Sequence, residues 1–296
     1  MRILHVGNVA GVASTLAKYQ QKLGHDTEVL VRHKHPFEYE ENYCPHLFRG
    51  LVRFLNKDVI HYHSRAWISR MLSDKIRNPD FLLMKAMKKK IVWHFHGDDV
   101  RGQKVVRLNQ SIFVSTPDLL EYVKDGVWLP SPLDLDLVHP LLKQKAQITI
   151  GYYDPIHPYC RQFTVENEVR RAVEQFRKKG VGIEVRPFRG YKHSEISAYW
   201  RDIDIWVDRF GVDFYGLCAI EAAAYKIPVI VQIGEYEHTF VPTCPFINTS
   251  RGRISNAIEY LLDENNRREI GNKGCEFVLD AHDPFKMAEK CIDAYQ

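Results

Sequence analysis

Residues 205–231 read I-W-V-D-R-F-G-V-D-F-Y-G-L-C-A-I-E-A-A-A-Y-K-I-P-V-I-V. A β-branched run ends before Asp208, a glycine-containing loop follows, and an alanine-rich, helix-favouring stretch leads through Pro228 into a second β-branched run. Strand, loop, helix and strand in this order form a βαβ unit, whose two strands lie parallel in one sheet. The stretch therefore predicts an α/β fold built on a parallel sheet.

The same alternation extends on both sides of this unit and falls into two series. In the first series, strands are predicted near residues 3–7, 27–31, 59–63, 91–94, 112–115 and 127–129, with helices at 12–23 and 117–124. In the second series, strands are predicted near residues 148–151, 183–187, 205–207 and 228–231, with helices at 165–179, 254–262, 266–279 and from 284 onward. We expect two Rossmann-like, doubly wound domains that face each other across a cleft.

The length supports this division, because 296 residues exceed the size at which one hydrophobic core usually keeps growing. Prolines and charges between Pro130 and Lys145 suit a crossing between domains. We therefore expect domains at residues 1–145 and 146–282, with a helix at 283–296 that packs back on the first domain.

Composition and charge exclude several classes of protein. With 45% apolar and 26% charged residues, the chain reads as soluble and globular, and a net charge of +4 is too small to indicate a nucleic-acid partner. The first apolar run ends at Gly7, too early for a signal peptide or a membrane span. Six scattered cysteines without C-x-x-C pairs suit neither a disulfide framework nor a structural zinc site. We expect a cytoplasmic protein.

One basic run leaves two interpretations open. Residues 85–90 read K-A-M-K-K-K, which could contact anionic lipid or phosphate. The same lysines also suit a solvated helix end near the negative end of the helix dipole.

The first strand runs into Gly7-Asn8-Val9-Ala10-Gly11 and then into a helix, whose first N–H groups could bind an anion. A tight turn without a ligand explains the same residues. The glycines do not have the G-x-G-x-x-G spacing of a dinucleotide fold, which disfavours a nicotinamide enzyme.

A second candidate site is W-H-F-H-G-D-D-V-R at residues 93–101, where a strand of the first domain is predicted to end. Ligands of open α/β sheets bind at such carboxyl ends. We take His94 and His96 to point to opposite faces of the strand, which makes a shared metal the minor interpretation. A buried histidine that bonds a backbone carbonyl is one interpretation of His94 and leaves others open, whereas His96 reads as a functional side chain. His61 and His63 read as structural.

The loop after the strand at 205–207 carries a third candidate site. Tyr215, Gly216 and Leu217 can offer backbone N–H groups to a phosphate. The carboxylates of Asp213 and Glu221, eight residues apart, can accept protons from sugar and ribose hydroxyls. The chemistry suits a sugar nucleotide.

This stretch resembles the retaining GT-B glycosyltransferases of family 4, whose signature is E-x-F-G-L-x-x-x-E followed by A-x-A-x-G-x-P-V-I. The opening R-I-L-H-V-G, the segment H-G-D-D-V-R and the closing R-R-E-I-G-N-K-G-C-E-F-V and A-H-D-P-F-K-M-A-E-K are similar to that family's corresponding stretches. The resemblance implies that Gly11 lies against the donor phosphates, His96 near the transferred sugar, Asp213 on its hydroxyls and Glu221 on the ribose. His96 and Asp213 are then the candidate catalytic residues.

The chain also departs from the family pattern. Asp213 stands where glutamate is usual, and Lys226 replaces the customary glycine before Pro228. The family's donor-phosphate pair is an arginine and a lysine after the first strand of the second domain. Arg161 is the candidate for the arginine, and no lysine follows at the family's place. Arg189 or Lys192 could supply the second charge.

The resemblance implies a retaining, metal-independent transferase without a cofactor. Its second domain would bind a nucleotide-diphosphate sugar, UDP- or GDP-linked by expectation, and its first domain a glycan, lipid-linked or small-molecule acceptor. Lipid-linked acceptors would bring the chain to the inner face of the membrane as a peripheral protein. A sugar-nucleotide epimerase or sugar phosphorylase on the same fold is an alternative. The missing lysine and Asp213 keep a third interpretation open, a catalytically silent subunit that binds the nucleotide sugar.

Overall fold

The computed structural model describes residues 1–64, 67, 79–97, 99–101, 110–138, 147–155 and 158–296. The chain divides into two units, and each is described by itself. Unit 1 consists of Met1–Pro132 with His282–Gln296, and unit 2 of Leu133–Ala281. The expected domain boundary near residue 145 lies outside the described residues.

Strands and helices alternate along the described chain. The strands are β1 (Arg2–Val6), β2 (Asp26–Val31), β3 (Asn42–Tyr43), β4 (Val59–His63), β5 (Lys90–Phe95), β6 (Ser111–Val114), β7 (Val127–Trp128), β8 (Ile148–Tyr153), β9 (Ile183–Phe188), β10 (Ile205–Val207), β11 (Val229–Val231) and β12 (Ile247–Asn248). The helices are α1 (Val12–Lys22), α2 (Leu47–Leu55), α3 (Pro79–Ala86), α4 (Glu166–Lys178), α5 (Ile196–Arg201), α6 (Leu217–Ala224), α7 (Tyr236–Phe240), α8 (Ile254–Tyr260), α9 (Glu264–Ala281) and α10 (Pro284–Tyr295). Among the described helices, none is both long and apolar enough to cross a membrane.

Unit 1 is built on a parallel sheet with strand order β3-β2-β1-β4-β5-β6-β7. The order runs one way from β1 to β3 and the other way from β4 to β7, so the direction of winding switches between β1 and β4. Ligands of such sheets bind outside the carboxyl ends of the strands at this switch point. In unit 1 the switch point lies between Gly7, after β1, and Ser64, after β4.

The C-terminal helix belongs to unit 1, where α10 packs against α1 and β5. The Asp283 side chain caps its first turn by accepting hydrogen bonds from the backbone N–H groups of Phe285 and Lys286, and Pro284 occupies the first helical position. Buried Met287, Cys291 and Tyr295 join a core cluster with residues of β1, β4, β5 and β6. The predicted helix from residue 284 that packs back on the N-terminal sheet is confirmed.

Unit 2 has a second parallel sheet, with strand order β12-β11-β10-β8-β9. Counted from the first strand of the unit, this is the doubly wound order 2-1-3-4-5, whose switch point lies between β8 and β10. Apolar side chains of β8, β10 and β11 form the core together with those of α4 and α8. The α/β fold with two parallel, doubly wound sheets is therefore confirmed.

Several elements differ from the sequence-based expectation. The predicted helix at 117–124 is a short 3-10 helix, Pro117–Glu121. The helices α2, α5 and α7 and the edge strands β3 and β12 were not predicted, whereas α3 ends at Ala86 before β5, as the helix-end interpretation of the basic run at 85–90 expects. Each edge strand has two residues, which give no periodic signal, and α2 carries apolar side chains on both its buried and its exposed sides.

The turn between α6 and β11 explains one departure from the family pattern. Lys226 adopts a left-handed conformation with φ of 59°, in the position where the family has glycine. Its carbonyl oxygen lies against α9, because a Cβ atom added to Gly271 would lie 2.1 Å from it. Glycine at 271 therefore permits a close backbone approach that no other residue allows.

We expect Gly271→Ala to destabilise the protein by about 1–3 kcal/mol, because the added methyl group overlaps a backbone carbonyl that cannot rotate away. Gly274→Ala in the same helix is the matched control, since its added Cβ would meet ordinary contacts at 3.5 Å from Ala223 and 3.6 Å from Phe246. The control should be neutral or stabilising by up to about 1 kcal/mol. Urea unfolding of both variants measures the difference, and equal stability would contradict the close approach.

Candidate functional site

The switch point of unit 2 carries the loop that the sequence singled out. β10 ends at Val207, the loop spans residues 208–216, and α6 begins at Leu217 with Gly216 as its N-cap. The loop therefore leaves the carboxyl end of a switch-point strand and enters a helix N-terminus. Both features favour the binding of an anionic ligand.

Asp208 fixes the path of this loop. Its carboxylate is buried, and it accepts a hydrogen bond of 2.7 Å from the backbone N–H of Gly216. Burial raises the pKa of Asp208, while the neighbouring Arg209 charge and the Gly216 hydrogen bond oppose that shift. The Gly216 N–H, one of the three predicted phosphate donors, is thus engaged within the loop.

Arg209 lies beside the start of α6. Its Nε atom is 3.3 Å from the position that a Cβ on Gly216 would occupy. The same Nε is buried and makes no hydrogen bond with the described residues. A cationic side chain with an unused donor therefore adjoins a helix N-terminus, and both favour a bound anion. Sequence reasoning did not assign Arg209 a role, although its position two residues after the end of β10 was a usable signal.

The predicted donor-binding residues Tyr215 and Leu217 flank Gly216 at the start of α6. The Tyr215 ring is buried and stacks on Phe214, with edge contacts to Phe246 and Phe277. This ring packs in the core and anchors the loop, so only the backbone of Tyr215 is placed to meet a ligand.

Glu221 lies on α6, one turn after Leu217. Its carboxylate accepts a hydrogen bond of 3.3 Å from the indole N–H of Trp200, which is fully buried. Burial raises the pKa of Glu221 to about 7, against the effect of the Trp200 hydrogen bond. Asp213 differs from it, since the Asp213 side chain is exposed and its carbonyl accepts a hydrogen bond from Gly234.

The predicted phosphate-binding cations lie in different settings. Arg161 is exposed in a 3-10 helix, Pro158–Phe163, after β8. Arg189, which follows β9, lies 3.6 Å from the Asp154 carboxylate, and Lys192 precedes a 3-10 helix. Arg251, which the sequence did not single out, donates hydrogen bonds to the carbonyls of residues 162, 164 and 210. It therefore holds the segment that contains Arg161 against the loop after β10.

The switch point of unit 1 holds a pocket of about 460 Å³, lined by residues that include Gly7, Asn8, Lys34, His63 and Asp99. Gly7 and Gly11 both have left-handed φ angles, of 86° and 77°. A Cβ on Gly11 would lie 2.6 Å from the Tyr39 ring, so in this structure the glycine allows a close packing of Tyr39.

Five histidines form a row on one face of the sheet of unit 1. In register, His5 pairs with His61 and His63 pairs with His94. Residues i and i+2 of a strand share a face, so His61 and His63 align, and His96 continues the line beyond His94. The expectation that His94 and His96 point to opposite faces is wrong, since their ring centroids are 4.2 Å apart.

A chain of hydrogen bonds links this row to α1, β6 and α10. At one end, Ser115 Oγ lies 3.0 Å from His94 Nε2 and 2.7 Å from His96 Nδ1. The chain continues from His96 Nε2 to His63 Nδ1 and from His63 Nε2 to His5 Nδ1, each over 3.0 Å. It ends where His5 Nε2 lies 2.9 Å from Gln20 Oε1. The Gln20 amide bonds the Tyr295 hydroxyl, which lies 2.7 Å from His61 Nδ1. His94 is buried and bonds a serine hydroxyl, in place of the backbone carbonyl of one interpretation of the sequence.

The histidine row is uncharged near neutral pH. Burial is the first cause that lowers the pKa of each of these five histidines, and for His96 the Asp99 carboxylate opposes the shift. His96 is the partly exposed member of the row, and its backbone N–H donates to Asp99. The functional histidine expected from the sequence thus lies at the solvent-facing end of a buried polar row.

Two Rossmann-like units in one chain, with a C-terminal helix that belongs to the first unit, define the GT-B architecture. Solved structures with this fold match the whole chain. Sucrose-phosphate synthase from Thermosynechococcus elongatus matches with a TM-score of 0.61 and 14% identity, over 100% of this chain and 98% of that one. An Escherichia coli structure named for trehalose-6-phosphate, with bound UDP-2-fluoro glucose, matches with a TM-score of 0.61 and 9% identity, over 100% and 99%.

A structure from Listeria monocytogenes, described as a UDP-N-acetylglucosamine 2-epimerase, matches with a TM-score of 0.54 and 12% identity, over 99% of this chain and 95% of that one. No protein-family model matches the chain, and no curated protein matches it in sequence. At such identities the structural likeness shows the fold, and the fold alone does not fix the reaction.

The raised pKa of Glu221 predicts a pH effect on stability. The folded state keeps the Glu221 proton to about pH 7, whereas the unfolded chain releases it near the ordinary value of 4.5. Between these values the folded state binds more protons, so the contribution of Glu221 to stability falls as the pH rises. The free energy of unfolding of the wild type, minus that of Glu221→Gln, should therefore be larger at about pH 5 than at about pH 8. Urea unfolding at both pH values measures this, and a constant difference would contradict the burial of the carboxyl.

Proposed function

We propose that the protein is a retaining glycosyltransferase that moves a sugar from a nucleotide-diphosphate sugar to an acceptor. The observation that carries the proposal is the placement of Arg209 at the N-terminus of α6, on the switch point of unit 2. Glu221 follows on the same helix. A diphosphate at the helix start and a ribose one turn along match the order of groups in a sugar nucleotide.

The departing diphosphate needs positive charge, because negative charge develops on it as the sugar leaves. Arg209 supplies a guanidinium with an unused Nε donor, and the N-terminus of α6 adds its dipole. Arg161, in the segment after the neighbouring strand β8, is the second proposed cation. With these groups the transfer step needs no metal ion and no cofactor, and Arg209 replaces the lysine that the chain lacks.

The ribose is the proposed partner of Glu221. An ionised carboxylate can accept hydrogen bonds from both ribose hydroxyls, and the Trp200 N–H holds one carboxylate oxygen in place. Because the pKa of Glu221 is about 7 without ligand, the donor should favour the ionised form on binding. UDP- and GDP-sugars are the proposed donors, and the E. coli structure of the same fold contains UDP-2-fluoro glucose.

The remaining roles follow the resemblance. Asp213 is proposed to bind hydroxyls of the transferred sugar, for which its exposed carboxylate is available. His96, uncharged and oriented by Ser115 and His63, is proposed to position the sugar or its acceptor. Gly11 is proposed to face the donor phosphates. The acceptor is proposed to bind in unit 1, where the pocket beside β1 and β4 offers about 460 Å³.

We expect UDP- or GDP-sugars to raise the melting temperature of the wild type in a thermal-shift panel, because a ligand that binds only the folded state stabilises it. Glu221→Gln and Arg209→Gln should each lose most of this shift, since each removes one charge from the donor site. Arg253→Gln is the matched control, because Arg253 is exposed in the same unit. An unchanged shift in both site variants would contradict the donor site.

Product analysis separates the alternatives. Release of free nucleotide diphosphate with a glycosylated acceptor supports transfer, an inverted hydroxyl on the recovered nucleotide sugar supports an epimerase, and a sugar phosphate supports a phosphorylase. Donor binding without turnover over a broad acceptor panel supports the silent subunit. The epimerase is the alternative with a structural neighbour of its own.

We also propose that unit 1 contacts membranes from the cytoplasmic side. Helix α2 exposes Phe48 by 78% and Val52 by 63%, and Leu82 of α3 is exposed by 50%. The turn after α3 lies against the end of α2, since the Lys89 ammonium donates to the carbonyls of Leu55 and Lys57. Exposed Arg49 and Lys85 accompany these side chains. Apolar side chains with basic neighbours are typical of surfaces that bind anionic lipid.

The double variant Phe48→Ser/Val52→Ser should lose at least about tenfold in binding to vesicles that contain phosphatidylglycerol, because two apolar side chains no longer insert. Leu279→Ser is the control, since Leu279 is 42% exposed in unit 2. Flotation with the vesicles measures binding. Equal flotation of the double variant and the control would contradict the proposed surface.

A further inference from the structure

We propose that His63, His94 and His96 form a binding site for a zinc ion at the carboxyl end of the sheet of unit 1. One ring nitrogen from each of the three histidines lies within 4.8 Å of the others. Three strand positions bring them together, since His63 and His94 pair in register and His96 follows two residues later. The site shares His96 and the pocket of unit 1 with the proposed acceptor region, and the inference rests on the ring geometry and not on the proposed transfer.

The distances suit one metal ion. Zinc binds histidine nitrogen at about 2.0–2.1 Å, which places two ligand nitrogens of a tetrahedral site about 3.3 Å apart. The Nδ1 of His63 and the Nε2 of His96 are 3.0 Å apart. A shift of a few tenths of an ångström would therefore admit the ion between them, with the His96 proton moving from Nε2 to Nδ1, where the Ser115 hydroxyl oxygen accepts it.

The hydrogen-bond chain sets the tautomer of His63. The Gln20 amide oxygen can only accept, so His5 carries its proton on Nε2 and its Nδ1 is an acceptor. That Nδ1 accepts the proton on Nε2 of His63. The lone pair of His63 is therefore on Nδ1, the atom that faces His96.

His94 supplies an independent observation. Its ring is fully buried, and its Nδ1 makes no hydrogen bond with the described residues. A buried polar atom without a partner is rare in folded proteins and is commonly explained by a missing water or ion. With its Nε2 proton donated to Ser115, His94 has a lone pair on Nδ1 for a metal ion.

The surroundings have the features of a metal site. In such sites the second nitrogen of each ligand histidine is held by a hydrogen bond. Here His94 Nε2 and His96 Nδ1 both bond Ser115, and His63 Nε2 bonds His5. Burial lowers the pKa of all three histidines, which keeps them in the neutral form that binds metals.

The ligand atoms favour zinc, and the site has a route from solvent. Three imidazoles without a carboxylate favour zinc over magnesium or calcium, which prefer oxygen ligands. His63 lines the pocket of unit 1, and His96 is partly exposed, so the ion has a route from solvent. Three protein ligands leave a fourth position for water or another ligand.

A competing group, His5, His61 and His63, shares one member with this site. Its three side chains are each at least 98% buried. The tautomer imposed by Gln20 also leaves the proton of His63 on Nε2, the nitrogen that faces His5. The lone pair and the route from solvent therefore both favour the group with His94 and His96.

The test uses the full chain without a histidine tag, stripped with a chelator and dialysed. Zinc is titrated in competition with a chromophoric chelator, and cobalt(II) replaces it as a spectroscopic probe. We expect one ion per chain and the intense visible bands of four-coordinate cobalt. Absence of stoichiometric binding, or the weak bands of six-coordinate cobalt, would overturn the proposal.

Variants locate the site. Ser115→Ala removes only an outer hydrogen-bond partner and should weaken zinc binding by roughly 10- to 100-fold. His94→Gln removes a proposed ligand and should weaken zinc binding by more than this. His238→Gln, at an exposed histidine of unit 2, and His61→Gln should bind as the wild type does. If His61→Gln abolishes binding and His94→Gln does not, the other group holds the ion and the proposal fails. Should His94→Gln not fold by circular dichroism, His96→Gln replaces it with the same expectation.

Discussion

Parallel pairing of every strand within each sheet is the constraint on which the rest of the structure depends. It places all carboxyl ends of a sheet at one edge, and the reversal of strand order opens a site there, between β1 and β4 in unit 1 and between β8 and β10 in unit 2. The functional candidates follow from this, since Arg209 is the second residue after β10 and His63 is the last residue of β4. A single antiparallel strand at either place would move these side chains to the opposite edge.

The two switch points satisfy their buried polar side chains in different ways. In unit 2, the buried Asp208 carboxyl accepts the Gly216 N–H, and the neighbouring Arg209 charge opposes the rise of its pKa on burial. In unit 1, a row of uncharged histidines bonds to itself and to Gln20 and Ser115. Neutral groups cost less to bury than ions do, and this allows the row to extend through the core.

A close approach of two backbone segments requires glycine at positions 7 and 271. Gly7 lets the end of β1 meet the carbonyl of His63, and Gly271 lets α9 meet the carbonyl of Lys226. Lys226 has a left-handed backbone conformation at a position where the sequence pattern that this chain resembles has glycine. The conformation belongs to the turn that leads into Pro228, and a lysine tolerates it there at a modest cost in strain.

The sequence by itself determined the alternation of strands and helices, the parallel sheets and the loop from Asp208 to Gly216, because hydrophobic period and turn residues act over short stretches of chain. It also marked His96 and Glu221 from local pattern. Only the tertiary structure decided that Arg209 lies at the start of α6 and that five histidines from three strands form one row. Strand register pairs His5 with His61 and His63 with His94, which lie 56 and 31 positions apart, and no local pattern in the chain encodes that pairing.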